Sequence, residues 1–255
     1  MTAQWLQEKT WQDVEAYLAK DRRIILPVGS TEQHGRFAPL GTDTMAAVAV
    51  AEDASADTGV LTAPPLWFGW SPHHLVKPGT ISIRAEILIE VLFDAIASLS
   101  QHGFEQFVVI NGHRIVNISW MQIAAERAQR ELGIKVALFD LAYMSKEISP
   151  KLDFGPIGHG EDIEVSHMLY RHPDLVDLSN AKDNPHRHQP LYHLDPQDPR
   201  DTLCYVPLTR QALQAVADET GDTVSGCPTK STAAKGEAYH RHLVARLKEV
   251  LASMQ

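Results

Sequence analysis

Cysteine is nearly absent: Cys204 and Cys227 are the whole complement of a 255-residue chain. Two cysteines so placed make neither a CxxC pair nor a disulfide framework, which fits a reducing cytoplasm and leaves His and carboxylates as the ligands for any protein-held metal. Positive charge is scarce as well. With 23 Lys+Arg against 32 Asp+Glu the formal charge is −9, and no basic run interrupts that balance. Nucleic acid and anionic membranes are bound through clustered positive charge, so neither is expected as a partner. Long apolar runs are missing too: Ile24 to Val28 and Val108 to Ile110 fall far short of the roughly 20 residues that span a bilayer. Gln7, Glu8 and Lys9 stand where a signal peptide needs its apolar region, so secretion is not expected.

What is present suits a folded chain. Hydrophobic residues make up 44% and charged residues 22%, enough for a core, and the length suits one α/β domain spanning residues 1–255. Trp11, Val14, Tyr17 and Leu18 lie at helical spacing within Thr10 to Arg23. Ile24 to Gly29 reads as a strand buried on both faces, although Pro27 interrupts it. A helix over Thr44 to Ala56 and a strand over Val60 to Leu66 follow, then a helix over Ala85 to Gln101, which Gly103 stops. Gln106 to Asn111 reads as a strand, Ile118 to Leu132 as a helix and Ile134 to Leu141 as a further strand. Strands alternating with helices at this spacing predict parallel βαβ units with helices on both faces of the sheet. From His172 to Pro207 six prolines are interleaved with His and Asp, which predicts an irregular segment packed against the domain or a partner subunit. Ser231 to Met254 closes the chain as a helix.

Ligands of parallel α/β sheets bind beyond the carboxyl ends of the strands, so the loops after the apolar runs are the place to look for chemistry. The first reads Gly29-Ser30-Thr31-Glu32-Gln33-His34-Gly35, then Pro39-Leu40-Gly41-Thr42-Asp43-Thr44. Glu32, His34 and Asp43 supply oxygen and nitrogen ligands that suit Zn²⁺ or Mn²⁺; Asp43 is equally explained as the N-cap of the following helix. The second loop places His113 behind Asn111-Gly112. The third, Gly69 to His74 followed by Pro78 to Ser82, offers aromatic and polar groups for a pocket wall, or an incidental His pair. The fourth, Gly158 to Glu164, opens a helix whose acidic start also suits the helix dipole. His186, His188 and His193 lack metal-like spacing, and His240 and His242 are expected to face solvent on the last helix. No GxGxxG, P-loop, GxSxG or HExxH motif is present.

Leu26 to Gly35, with Pro39 to Thr44, resembles the signature of the creatininase (creatinine amidohydrolase) family. The likeness continues through Pro78 to Ser82, Gly103-Phe104, Val109 to His113, His159 to Ser166 and Gly221 to Glu237. It implies a three-layer α/β/α sandwich with a mostly parallel sheet, a pair of divalent metal ions (Zn²⁺, Mn²⁺ or both), a small-molecule substrate and homo-oligomers, usually hexamers. By motif, Glu32 and His113 would hold one ion and His34 the other, Asp43 would bridge them, and His159 would shuttle the proton. Two cations so placed acidify a bridging water, giving a hydroxide that attacks a carbonyl.

Three positions depart from the family pattern. Asn111-Gly112-His113-Arg114-Ile115-Val116-Asn117 replaces the usual Asn-Gly-His-Gly-Gly-Asn and is one residue longer. In creatininases a Glu two residues after that His is a metal ligand; here the position is Ile115, so Glu164 is expected to complete the second metal's set, with Asp162 and Glu161 behind it. Lys77 stands where an aromatic is common, and Asp162-Ile163-Glu164-Val165 replaces Glu-x-Glu-Thr. Ser71, His74, Lys77 and Arg114 are expected to contact substrate, the last two favouring one more polar or anionic than creatinine. The expected activity is hydrolysis of a small polar cyclic amide or formamide. One alternative is ring-opening hydrolysis of an oxidised inositol at a carbon–carbon bond. Another is a non-catalytic binding or assembly protein that keeps the fold.

Overall fold

Every residue of β1 (Arg23–Val28) is buried, as an apolar run without polar alternation requires of a strand covered on both faces. The structure, a computed structural model, describes residues 2–185, 195–198 and 205–254. β1 pairs in parallel with β2 (Leu61–Thr62) on one side and β3 (Gln106–Asn111) on the other, and β3 pairs in parallel with β4 (Lys135–Asp140). The sheet order is β2-β1-β3-β4. Successive strand residues feed two cores. Ile25, Val108, Ile110 and Phe139 pack with α2 (Thr42–Thr58), α6 (Asp162–Arg171) and α8 (Ala233–Ser253); Ile24, Leu26, Val28, Phe107 and Val109 pack with α3 (Ala85–Gln101) and α4 (Ile118–Leu132). This is the three-layer α/β/α sandwich with a parallel sheet that the alternation of strands and helices predicts.

Several elements differ in detail. The first helix, α1, is shorter than its apolar spacing suggests (Trp11–Leu18); Thr10 and Asp13 close a capping box at its start, which satisfies two otherwise orphaned backbone donors. Pro27 is tolerated inside β1 because regular pairing is interrupted beside it: β2 stops at Thr62 before Pro64-Pro65, and the chain returns at Leu66, whose N–H the Pro27 carbonyl accepts at 2.9 Å. Asp43 is not an N-cap. Gly41 occupies the cap of α2 and Asp43 lies within the first turn, its carboxylate turned inward and buried.

α5 (Leu141–Met144) is capped by Asp140, and α7 (Arg210–Thr220), an element not anticipated, packs beside the 3₁₀ turn Pro72–Val76. His240 does not face solvent: its face of α8 turns toward α2 and α6, where it is buried and both ring nitrogens find partners. His242 is half-buried and reaches the Met144 carbonyl. In the Pro-rich segment, residues 172–185 hold two 3₁₀ turns joined by irregular chain; His186, His188 and His193 lie outside the described residues. Among the described residues no helix is long and apolar enough to cross a membrane.

Candidate metal centre

The carboxyl ends of β1 and β3 and the start of α2 meet at one point because Gly112 follows β3 without a side chain. A Cβ there would sit 2.0 Å from the Asp43 carbonyl oxygen, so only glycine lets the first turn of α2 lie against the β3 loop. Around this point the structure assembles Glu32, His34, Asp43, His113, His159 and Glu164. Three sets can each surround a cation, with ligand atoms within 4.8 Å of one another: Glu32, Asp43 and His113; His34, Asp43 and Glu164; Glu32, His34 and His159. Asp43 belongs to the first two and faces both histidines, with Oδ1 3.2 Å from His34 Nε2 and Oδ2 3.1 Å from His113 Nδ1. Glu32 Oε2 lies 3.4 Å from His113 Nε2, and Glu164 Oε2 lies 3.6 Å from His34 Nε2.

Buried polar atoms are almost always hydrogen-bonded, yet Glu32 Oε2, His34 Nε2 and Asp43 Oδ2 have no hydrogen-bond partner. Three buried ligand atoms directed at one another in this way fit a cation, as does a donor set of imidazoles and carboxylates. The electrostatics of the unliganded cluster agree. Burial pushes both imidazoles down, but Asp43 with Glu164 and Glu32 outweighs it at His34, raising it to about 10, and Glu32 with Asp43 outweighs it at His113, raising it to about 9. Burial likewise opposes the charged form of Asp43, and the two histidines overcome it, holding the carboxyl well below the usual carboxylate range. Protons on the imidazoles thus supply the positive charge that the carboxylates require, and a cation would replace them.

A second ring of residues orients this set. Gln33 directs its amide oxygen to the Gly35 N–H and the Thr223 hydroxyl, and its amide nitrogen to His74 Nδ1 at 2.7 Å. His74 Nε2 is thereby left to face Glu32 Oε1 at 3.4 Å. The His159 Nε2–H donates to the Gln33 backbone carbonyl at 2.5 Å, so Nδ1 keeps a lone pair directed toward Glu32 Oε1 at 3.6 Å. The His159 ring stacks on His74 with centroids 3.9 Å apart. Burial, with the neighbouring His34 charge, lowers His159 to about 3, so the imidazole is neutral. Ser71 is buried, hydrogen-bonds Ser30 at 2.7 Å and reaches His113 Nε2 at 3.4 Å.

Of the four residues expected to contact substrate, Ser71 and His74 adjoin the cluster. Arg114 is buried and ion-paired through one Nη2 to Glu161 at 2.7 Å and to Glu164 at 2.6 Å. Lys77 is half-buried at the end of the Pro72–Val76 turn, and its ammonium makes no ion pair with the cluster among the described residues. Ile115, where a ligand is expected in creatininases, has φ 67° and packs against the core shared with α8. This left-handed conformation is unusual for a β-branched residue; a hydrogen bond from its N–H to Asp140 Oδ2 at 2.8 Å holds it there. Gln33, which the sequence did not single out, and His73, half of the His pair in the third loop, complete the surroundings. Gln33 lies between two predicted ligands, which is the one signal that marks it.

Comparison with known proteins follows the same lines. The profile of the creatinine amidohydrolase (creatininase) family matches residues 7–251. The chain is 30% identical to a 3-dehydro-scyllo-inosose hydrolase of Thermotoga maritima over 76% of its own length and 65% of that protein. It is 31% identical to the creatinine amidohydrolase of Pseudomonas putida over 85% of its own length and 90% of the relative. It is also 31% identical to a mycofactocin precursor peptide peptidase of Mycolicibacterium smegmatis, over 87% and 81%. Among solved structures, a manganese form of creatininase superposes with TM-score 0.79 at 27% identity, covering 98% of both chains. A Zn-Zn form of a mutant creatininase superposes with TM-score 0.78 at 27% identity, covering 99% of this chain and 98% of the other. The relatives named here are hydrolases of different substrates, and the chain belongs to the creatininase family.

Proposed function

We propose that this chain is a divalent-metal hydrolase that adds water to the carbonyl of a small polar cyclic amide or formamide. The observation that carries the reading is the sharing of Asp43 between two ligand sets, Glu32 with His113 and His34 with Glu164. Two divalent ions held by these sets would supply Lewis acidity toward a carbonyl and would acidify water, the chemistry of Zn²⁺ or Mn²⁺ in hydrolytic sites. Glu164 stands in for the ligand missing at Ile115, which also weighs against a binding protein that has lost its chemistry. Arg114 fixes one oxygen of Glu164, and the other accepts the Gly160 N–H at 2.8 Å and faces His34.

His159 is the base and then the acid. Its Nδ1 lone pair takes a proton at the centre and returns it to the departing group, while the Gln33 carbonyl holds the ring in the required tautomer. The Ser71 hydroxyl and the His74 ring bound the same space and orient the substrate. The small molecule would be processed by a homo-oligomer, whose size sedimentation velocity would give.

A second reading is ring-opening hydrolysis of an oxidised inositol. The Thermotoga relative's name favours it, as do the hydrogen-bonding groups Gln33, Ser71 and His74, which suit a polyhydroxylated ketone. A panel of creatinine, formamides and keto-inositols, assayed with Zn²⁺ and with Mn²⁺, separates the two readings. Asp43→Ala and His113→Ala are each expected to lose bound metal and to reduce kcat/KM by about 10²-fold or more. Full metal content together with full turnover in both variants would falsify the mechanism.

A further inference from the structure

Beside the metal-ligand cluster lies a cavity of about 10 Å³ whose lining includes Asp43, Arg114, Glu164, His167 and Tyr239. That is the size of one water position. From its wall a chain of hydrogen bonds runs outward. His167 Nε2 meets His240 Nδ1 at 2.9 Å, and His240 Nε2 meets Asp53 Oδ2 at 2.8 Å. His167 and His240 are 2% and 1% exposed, whereas the Asp53 side chain is 41% exposed. Asp53 and His240 border a surface cleft of about 450 Å³. The three residues come from α6, α8 and α2, and nothing in the reaction proposed above uses them.

The direction of each hydrogen bond follows from the last acceptor. A carboxylate only accepts, and Asp53 is paired with Arg171 at 2.9 Å, so His240 Nε2 carries the proton. His240 Nδ1 is then the acceptor, and His167 Nε2 must donate to it. His167 Nδ1 is left as the proton-accepting end. Arg114 and Arg171 are the charged groups that bear on His167, with His172 and His240, and Tyr170 and Tyr239 pack on the two rings.

We propose that His167, His240 and Asp53 form a proton path between the small cavity beside Asp43 and Glu164 and the surface at Asp53. A proton arriving at His167 Nδ1 releases the one on Nε2 to His240 Nδ1; the His240 Nε2 proton passes to Asp53 and from there to water. Each ring gains one N–H bond and loses one, and the net change is one proton moved. Uptake of a proton from solvent runs the same shifts backward and restores the starting tautomers. A hydrolytic cycle that takes a proton from water and later returns one to product has a use for both directions. That use rests on the proposed function; the path itself does not.

The test is nitrogen-detected NMR of histidine-labelled, metal-loaded full-length protein, which reads tautomers and the solvent exchange of imidazole protons. Both rings are expected to be Nε2–H tautomers. Asp53→Asn keeps an acceptor for His240 but cannot take the proton, so exchange of the His167 Nε2 proton should slow by about a hundredfold, the low end of what positioned proton transfer contributes. His240→Phe keeps a ring in place and should do the same. A purely structural tie between helices gives the opposite result, because loosening it leaves exchange unchanged or faster. Unchanged or faster exchange in either folded variant, or Nδ1–H tautomers in the parent protein, would overturn the proposal. Because exchange requires no turnover, a silent substrate panel would count against the proposed activity alone.

Discussion

At the scale of single residues the centre depends on an atom that is missing. Gly112 brings the β3 loop against the first turn of α2, and an added Cβ would lie 2.0 Å from the Asp43 carbonyl oxygen. Gly112→Ala must therefore displace the residue that faces both His34 and His113. We expect the variant to fold, to lose about 1–3 kcal/mol through overpacking, and to bind Zn²⁺ about 10–100-fold more weakly, the usual cost of disturbing a ligand's support. Titration calorimetry on chelated protein reads this, and unaltered affinity would show that Asp43 is held by something else. Residues of this kind were partly visible in the chain itself. Glu32 and His34 lie in the loop after one apolar run and Asp43 in the first turn of the helix that ends it, so short spacing revealed them. Gln33 was hidden because its role depends on His74, His159 and Thr223, which no local pattern brings to it. Arg114 carries charge toward the site as expected, but the sequence could not show that Glu161 and Glu164 would already claim it.

Among the elements, the pairing of α6 with α8 places half of the chemistry. α6 carries Glu164 toward the cluster and His167 toward α8, and Gly236 is where the two helices touch. A Cβ on Gly236 would come within 1.8 Å of the Ser166 carbonyl oxygen. Gly236→Ala must push α8 off α6 near the middle of the latter. Overpacking costs about 1–3 kcal/mol, and at about 2–4 °C for each kcal/mol in a chain of this size the melting temperature should fall by several degrees. Differential scanning calorimetry measures it; an unshifted transition would mean that the helices part without strain. The apolar runs of β1 and β3 and the periodicity of α3, α4 and α8 identified the layers directly, because each pattern repeats within its own element. α7 escaped notice because only Leu213 and Ala217 of its eleven residues are buried, too few for a face to register. The chain His167, His240 and Asp53 escaped for a different reason: its partners are 73 and 187 residues apart, and only the packing of three helices on one sheet face unites them.

Across the whole molecule, the described histidines that their surroundings shift divide into two groups with opposite effects on stability. Burial, with neighbouring histidines and arginines, holds His73 at about 4 and His159 at about 3, and also depresses His74, His167, His172 and His240. In an unfolded chain these rings take up protons near pH 6.5. The unfolded state therefore binds more protons below that value, and stability falls as pH drops from about 6.5 toward 4. His34 and His113 behave in reverse. Their carboxylate neighbours raise them to about 10 and about 9, so the folded state holds the extra protons between pH 6.5 and those values, and stability falls as pH rises through that window. Five carboxylates, Glu32, Glu52, Asp140, Glu161 and Asp162, are pushed up by burial and offset part of the acid limb against the six depressed histidines. Metal-free protein should accordingly be most stable near pH 6.5, with urea midpoints declining on both sides. Cations displace protons from His34 and His113, so Zn²⁺ or Mn²⁺ should flatten the alkaline limb and leave the loss below pH 6.5 due to His73 and His167 in place. Urea titrations from pH 5 to 9, with chelator and with metal, check both limbs. A metal-insensitive alkaline limb would place the cation away from His34 and His113.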